Sequence, residues 1–149
     1  MNNNEVITTL GGLVATCEKG RDRFRDAAEN IHNNEFRRLF YIFSQQRIQF
    51  ITELKSEMHR LRGGGAHVED TRELPPNTVP FKRSAPAKSS TRDEASIIAE
   101  CQREEAGAVN DYQDALKADL PLDVQYVVKR QYMDIRDAYD RVRILQRAA

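Results

Sequence analysis

Apolar residues recur along this chain at alternating steps of four and three, the spacing of the buried side of a helix packed lengthwise in a bundle. The pattern fills four segments, which predict helices at about residues 4–31, 35–62, 92–118 and 122–147. The inward positions of the second segment are Phe36, Phe40, Phe43, Arg47, Phe50, Leu54, Glu57 and Leu61. No segment shows convincing strand periodicity. We therefore predict an all-α four-helix bundle.

Cap-forming residues mark the predicted helix ends. Asn3 and Asn4 are candidate N-caps for the first helix, and three glycines at 63–65 stop the second. A short turn at residues 32–34 joins the first two helices, which makes them antiparallel neighbours. Residues 91–94 read Thr-Arg-Asp-Glu, a capping-box pattern that predicts the start of the third helix.

Residues 64–90 form a long linker that lacks periodicity. Its prolines forbid a continuous helix, and they are Pro75, Pro76, Pro80 and Pro86. A bundle helix of this protein is roughly 40 Å long, and an extended linker of this length reaches about twice that distance. We therefore predict a crossover that lets helix three run parallel to helix two, within a single domain spanning residues 1–149.

Each of the four seams departs from apolar character near its midpoint. The four residues at these positions are Gly20, Arg47, Glu105 and Gln131. Because mid-helix positions meet at the centre of a bundle, we predict a buried polar layer in which Glu105 pairs with Arg47. The alternative is a register shifted by one residue, with Gln46 or Glu104 pointing inward and Arg47 reaching out to solvent.

A polar bundle centre is also where a carboxylate-bridged dimetal site would be built. Such a site uses Glu-x-x-His pairs from two helices, and the one such pair in this sequence, Glu29 with His32, ends in the predicted turn and not at the middle of a helix. The metal-binding alternative therefore rests on candidate oxygen ligands only, and these are Glu18, Glu104, Glu105 and Asp134. We predict neither a metal nor another cofactor.

Composition and charge narrow the functional classes. The 23 basic and 23 acidic residues balance, so nothing draws the whole chain to nucleic acid; a Dps-like DNA binder would depend on Lys82, Arg83 and Lys88 in the linker. No stretch is long and apolar enough to span a membrane, and the first residues lack the features of a signal peptide. We expect a cytoplasmic protein in which Cys17 and Cys101 are reduced and buried, in preference to a disulfide.

Several large apolar residues fall outside the predicted seams of helices two and four. They are Tyr41, Ile42, Ile48, Tyr132 and Tyr139. Either the linker or another subunit would cover them, and we favour a homo-oligomer that associates through these residues.

The order of several short motifs resembles a bacterial family of small ferritin-like bundles, domain of unknown function 2383. The motifs are residues 17–20 (Cys-Glu-Lys-Gly), 24–29 (Phe-Arg-Asp-Ala-Ala-Glu), 46–50 (Gln-Arg-Ile-Gln-Phe), Glu53-Leu54, Glu105, Tyr112 and Ala115-Leu116. The resemblance covers both helical hairpins. It implies a ferritin-like fold with a long crossover and a bacterial cytosolic setting associated with stress response, but no established activity.

The resemblance also bears on the candidate site. Gly20, Arg47 and Glu105 match recurrent family positions, whereas Lys19 replaces a common acid and Tyr139 stands where a histidine is common. Both changes reduce the potential for metal binding. The linker also lacks the family's aromatic, partly helical segment. Our hypothesis is a non-catalytic, oligomeric, stress-associated binding or scaffold protein, and its alternative is a di-iron or manganese oxidase or iron-handling protein.

Overall fold

The computed structural model of the chain describes residues 1–63 and 93–148, and these form four α-helices and no strand. The helices are α1 (Asn3–Asn30), α2 (Asn34–Leu61), α3 (Glu94–Lys117) and α4 (Leu122–Ala148). The all-α prediction is confirmed. The predicted linker, residues 64–90, lies outside the described residues.

The helix caps use neighbours of some predicted residues. α1 is capped by Asn2, not Asn3 or Asn4, and the Glu5 side chain completes a capping box with Asn2. Asn33 caps α2 through bonds from two backbone N–H groups of the first turn. The predicted capping box of helix three is wrong by two residues, because Asp93 is the N-cap and accepts from the Ser96 N–H at 2.8 Å.

The ends of the helices establish the topology. Glu94, at the start of α3, accepts hydrogen bonds from the backbone N–H groups of His32 and Asn33 in the α1–α2 turn, both at 2.9 Å. At the opposite end, Arg60 of α2 pairs with Asp123 of α4 at 3.0 Å. α3 therefore begins beside the start of α2 and runs parallel to it. α1 packs on α2 and α3, and α4 packs on α3 and α2.

The core is divided into two apolar clusters along the bundle axis. One lies around the α1–α2 turn and contains an aromatic group of Phe24, Phe40 and Phe43. The other fills the opposite half and includes Leu10, Leu54 and Val128 among its fully buried members. On α1, α2 and α3 the residues that separate the two clusters are Gly20, Arg47 and Glu105.

The bundle ends are less buried than the four-three pattern predicts. Phe36, Glu57, Leu61 and Leu145 are half-buried, whereas the inward positions nearer the middle are buried. Seam residues at helix ends have solvent on one side, because no further turn of a neighbouring helix covers them. None of the four described helices is both long and apolar enough to cross a membrane.

Candidate functional site

The centre of the bundle holds an ion pair between α2 and α3. Arg47 Nη1 donates to Glu105 Oε1 at 2.9 Å, and Arg47 Nη2 donates to Glu105 Oε2. Both side chains have 0% exposure. This bidentate fork matches the two planar groups and is the strongest geometry for such a pair. The register is therefore the one in which Arg47 points inward, while Gln46 and Glu104 are half-buried.

Two residues of α1 shape the space around the guanidinium. A Cβ added to Gly20 would lie 2.8 Å from Arg47 Nη1, so the absence of a side chain at this position makes room for Arg47. The ring centroid of Phe24 is 5.3 Å from Arg47 Cζ, within range of a cation–π contact. Arg47 Nε has no hydrogen-bond partner among the described residues. The guanidinium thus binds one carboxylate, contacts one aromatic ring and occupies the space that Gly20 leaves.

Electrostatics keep this arginine charged. Burial disfavours the charged form, but the adjacent Glu105 carboxylate outweighs burial and raises the pKa of Arg47. A buried charge without its partner costs several kcal/mol, so each member of the pair depends on the other.

Gln131 is fully buried but belongs to a second group of hydrogen bonds, separate from the ion pair. Its Oε1 accepts from the Tyr112 hydroxyl at 2.7 Å, and its Nε2 donates to Glu53 Oε1 at 2.8 Å. The Tyr112 hydroxyl also lies 3.2 Å from Cys17 Sγ. The predicted four-residue layer is therefore two adjacent groups: Gly20 with the ion pair, and a chain of hydrogen bonds from Cys17 to Glu53.

This chain connects all four helices and reaches the protein surface. Glu53 is partly exposed, and Arg130 Nη2 donates to its Oε1 at 3.1 Å. Burial alone would raise the pKa of the Glu53 carboxyl, but hydrogen bonds from Gln131, Gln49 and Arg130 together lower it. Burial also raises the pKa of the Tyr112 hydroxyl, so it stays protonated and can donate to Gln131.

The hydrogen-bonding role of Tyr112 could not be predicted from the sequence, because a tyrosine in a seam is indistinguishable from an apolar core residue. Glu53 was missed for a related reason. It flanks the seam instead of occupying it, and only the contact with α4 identifies its role.

Both cysteines are free and buried, as expected from their seam positions. Burial raises the pKa of Cys17 to about 11 and that of Cys101 to about 12. The two thiols are therefore protonated near neutral pH, which makes them poor nucleophiles and poor metal ligands.

The five apolar residues predicted to form an oligomer face occupy two kinds of position. Tyr41 and Ile42 are 42% and 54% exposed and line a surface groove on α2. Ile48 is half-buried. Tyr132 and Tyr139 are also half-buried, and they pack against the core from beside the seam.

The family to which the chain belongs follows from comparison with known proteins. The model of a family described as Domain of unknown function (DUF2383) matches residues 5–118. The chain belongs to this family. A search of curated proteins found no match to this DUF2383 protein.

A solved structure shows the same fold as this DUF2383 chain. It is a two-domain protein from Anabaena variabilis ATCC 29413 containing DJ-1/ThiJ/PfpI-like and ferritin-like domains. The TM-score is 0.77 at 16% sequence identity, over 99% of this chain and 40% of that one. The chain thus spans less than half the length of that protein. At this identity the likeness shows the fold, and the fold is ferritin-like.

The ferritin-like fold raises the question of whether the residues at this centre fit a metal. In di-iron members of this class, glutamates and histidines project inward from all four helices. Here both oxygens of Glu105 accept from Arg47, while Glu18 and Glu104 are half-buried and Asp134 is exposed. Within residues 1–63 and 93–148, no three His, Cys, Asp or Glu side chains are grouped to hold an ion. The four metal candidates therefore do not form a site, and a guanidinium beside Glu105 opposes a dication.

The basic residues considered for DNA binding, Lys82, Arg83 and Lys88, lie outside the described residues.

Proposed function

We propose that this DUF2383 protein is a non-catalytic ferritin-like bundle that acts as a self-associating binding or scaffold protein in the cytoplasm. The stress-associated setting comes from the family resemblance. The observation that carries the proposal is the fully buried Arg47–Glu105 pair at the bundle centre.

The chemistry of this pair supports a structural role. Catalysis at a carboxylate requires that it bind a metal, transfer a proton or contact a substrate. Glu105 has 0% exposure and gives both its oxygens to one guanidinium, so substrate has no access to it in this arrangement. Two surface grooves, one on α2 and one lined by Arg23, Glu100, Arg103 and Glu104, include neither Arg47 nor Glu105.

The charge of Arg47 bears on the metal-dependent alternative. A di-iron or manganese centre using Glu105 would have to displace the guanidinium or accept a positive charge at hydrogen-bonding distance from its ligand. Either cost is large in a low-dielectric interior. The proposal therefore assigns no metal or other cofactor to this protein.

Metal analysis tests this function directly. The protein is purified without chelator, incubated with ferrous or manganous ion, desalted and analysed for bound metal by mass spectrometry. We expect no stoichiometric metal that depends on Glu105. Iron or manganese at one or two ions per chain, lost in Glu105→Ala but retained in Glu104→Ala, would overturn the proposal. Glu104 is the matched control because it is the adjacent acid and lies outside the ion pair.

A further inference from the structure

α4 carries a row of large apolar residues on the side that faces away from the bundle. Its members are Leu122, Tyr126, Met133 and Ile144, with exposures of 81%, 68%, 64% and 61%. Three other large apolar residues in the described ranges are exposed, but less so, and they are Ile42 at 54%, Met1 at 45% and Tyr41 at 42%. The four most exposed large apolar residues of the described ranges are therefore on one helix.

Helix geometry places these four side chains in one line. At about 100° per residue, positions eleven apart differ by only about 20°, so Leu122, Met133 and Ile144 point in nearly the same direction. Tyr126 lies within about 40° of each of them. The buried positions Val124 and Val142 point to the opposite side. The row spans about 33 Å, most of the length of the helix.

This outer row is not needed for the core, since α4 already has a complete buried seam. The members of the row are separated by charged residues, but large apolar residues confined to one exposed side of a helix favour a site of interaction. The sequence between the apolar residues indicates which surface fits it, because the row is nearly symmetric about Met133.

A second α4 placed antiparallel, with its Met133 against the first, aligns chemically matched residues. Leu122 then faces Ile144 of the second copy, and Met133 faces Met133. Between Leu122 and Ile144 the other positions on this side are Lys129, Asp137 and Asp140, and at its edge Arg136 would face Arg130 of the second copy. Lys129 faces Asp137 of the second copy, and Tyr126 faces Asp140. The Met133 contact lies on the axis and occurs once, and each of the other contacts occurs twice, as a twofold interface requires.

Charge complementarity thus supports the antiparallel register. In a parallel α4 pair, Lys129 would face Lys129 and Asp137 would face Asp137, which repel. Asp137 Oδ2 already accepts from Arg141 at 3.0 Å on the same helix, and this surface pair leaves Oδ1 for a lysine of the second copy.

We infer that two copies of this chain associate through the outer surface of α4, antiparallel and centred on Met133. The inference deepens the self-association in the proposed function and rests on it. It replaces the five residues expected from the sequence with a row on α4 alone.

A cysteine at the twofold centre tests the register. Met133→Cys places two thiols opposite each other across the axis, and we expect a disulfide-linked dimer on mild oxidation of the full-length protein. The matched control is Ile42→Cys, an equally accessible apolar position on α2, which should give no such dimer. Cys17 and Cys101 are buried and should not compete in the folded protein.

Charge reversal tests the pairing without a covalent bond. Lys129→Asp and Asp137→Lys each place like charges together in the dimer, and we expect each to raise the dissociation constant by at least about tenfold. The double variant exchanges the charges and should return it to within about threefold of the wild type. Sedimentation velocity over a concentration series measures all four proteins, and circular dichroism verifies that each is folded.

The possible outcomes separate this inference from the broader proposal. A dimer that persists unchanged in every variant, with no Met133→Cys cross-link, places the interface elsewhere and overturns the inference while leaving self-association intact. A wild-type protein that is monomeric at all concentrations overturns both the α4 interface and self-association. This is also the result expected if another part of the same chain covers the row. Neither outcome affects the metal test above.

Discussion

Replacing Arg47 with methionine should destabilise this protein far more than any exposed arginine substitution. Methionine nearly matches the length and volume of the arginine stem, so it leaves little cavity. It removes the charge, both hydrogen bonds to Glu105 and the contact with the Phe24 ring. Glu105 then remains buried with neither oxygen paired.

The expected magnitude follows from that unpaired carboxylate. Removing one member of a buried ion pair costs on the order of 3 to 5 kcal/mol. For a chain of this size each kcal/mol lowers the melting temperature by about 2 to 4 °C, so we expect a decrease of roughly 6 to 20 °C. The double variant Arg47→Met/Glu105→Leu removes the orphaned charge as well, and its stability should lie within about 1 to 2 kcal/mol of the wild type.

Urea and thermal unfolding followed by circular dichroism measure these differences. All proteins must be compared at one concentration, because association makes the melting temperature concentration-dependent. Arg141→Met is the control: Arg141 forms an exposed ion pair with Asp137, and its loss should cost less than about 1 kcal/mol. An unchanged melting temperature for Arg47→Met would refute the reasoning, as would a double variant no more stable than the single one.

Two further predictions concern the immediate surroundings of the pair and the thiols. Gly20→Ala should destabilise the protein by about 1 to 3 kcal/mol, because the added Cβ would lie 2.8 Å from Arg47 Nη1. Gly12 has open space around it, so Gly12→Ala should stabilise the protein by about 0.5 to 1 kcal/mol. Chemical denaturation compares the two variants. The pKa of an unperturbed thiol is 9.0, whereas those of Cys17 and Cys101 are raised to about 11 and about 12. The folded state therefore holds these two protons more tightly than the unfolded state does. Their contribution to stability is full below about pH 9 and is lost as the pH rises toward 12, so denaturation midpoints should fall in that range, and less steeply in a Cys17→Ala/Cys101→Ala variant. Equal slopes in the two proteins would contradict this account of the thiols.

The hydrophobic pattern of the sequence was sufficient to predict the four helices and the buried Arg47–Glu105 pair. A cation in a repeating apolar seam, and a carboxylate at the equivalent level of another helix, predicted that Arg47 and Glu105 would lie at the centre. This worked because the midpoints of helices of similar length lie at similar heights in a bundle, whichever way each helix runs.

The same reasoning placed Gln131 in the wrong hydrogen-bond group. A helix rises about 5.4 Å per turn, so an error of one turn in the relative height of two helices exchanges one set of neighbours for another. The periodicity of a single helix carries no information on that height. Only the packing of α4 against α2 and α3 shows that Gln131 meets Tyr112 and Glu53.

The surface of α4 was harder to assign for a different reason. A strict four-three seam is narrower than the surface a bundle helix buries, which is at least about 100° wide. Tyr132 and Tyr139 flank the seam and pack against the core, although the narrow pattern left them outside. Leu122, Met133 and Ile144 have an eleven-residue spacing that is diluted by charged neighbours, so no short window shows it.

The central claim is that an arginine–glutamate pair occupies the place where related bundles bind metal. A crystal structure at atomic resolution, grown in the presence of manganous ion with anomalous data collected, tests it most directly. We expect the Arg47 guanidinium to lie flat against Glu105, with no anomalous peak near the carboxylate. A metal ion bound to Glu105, with Arg47 turned away from it, would contradict the account.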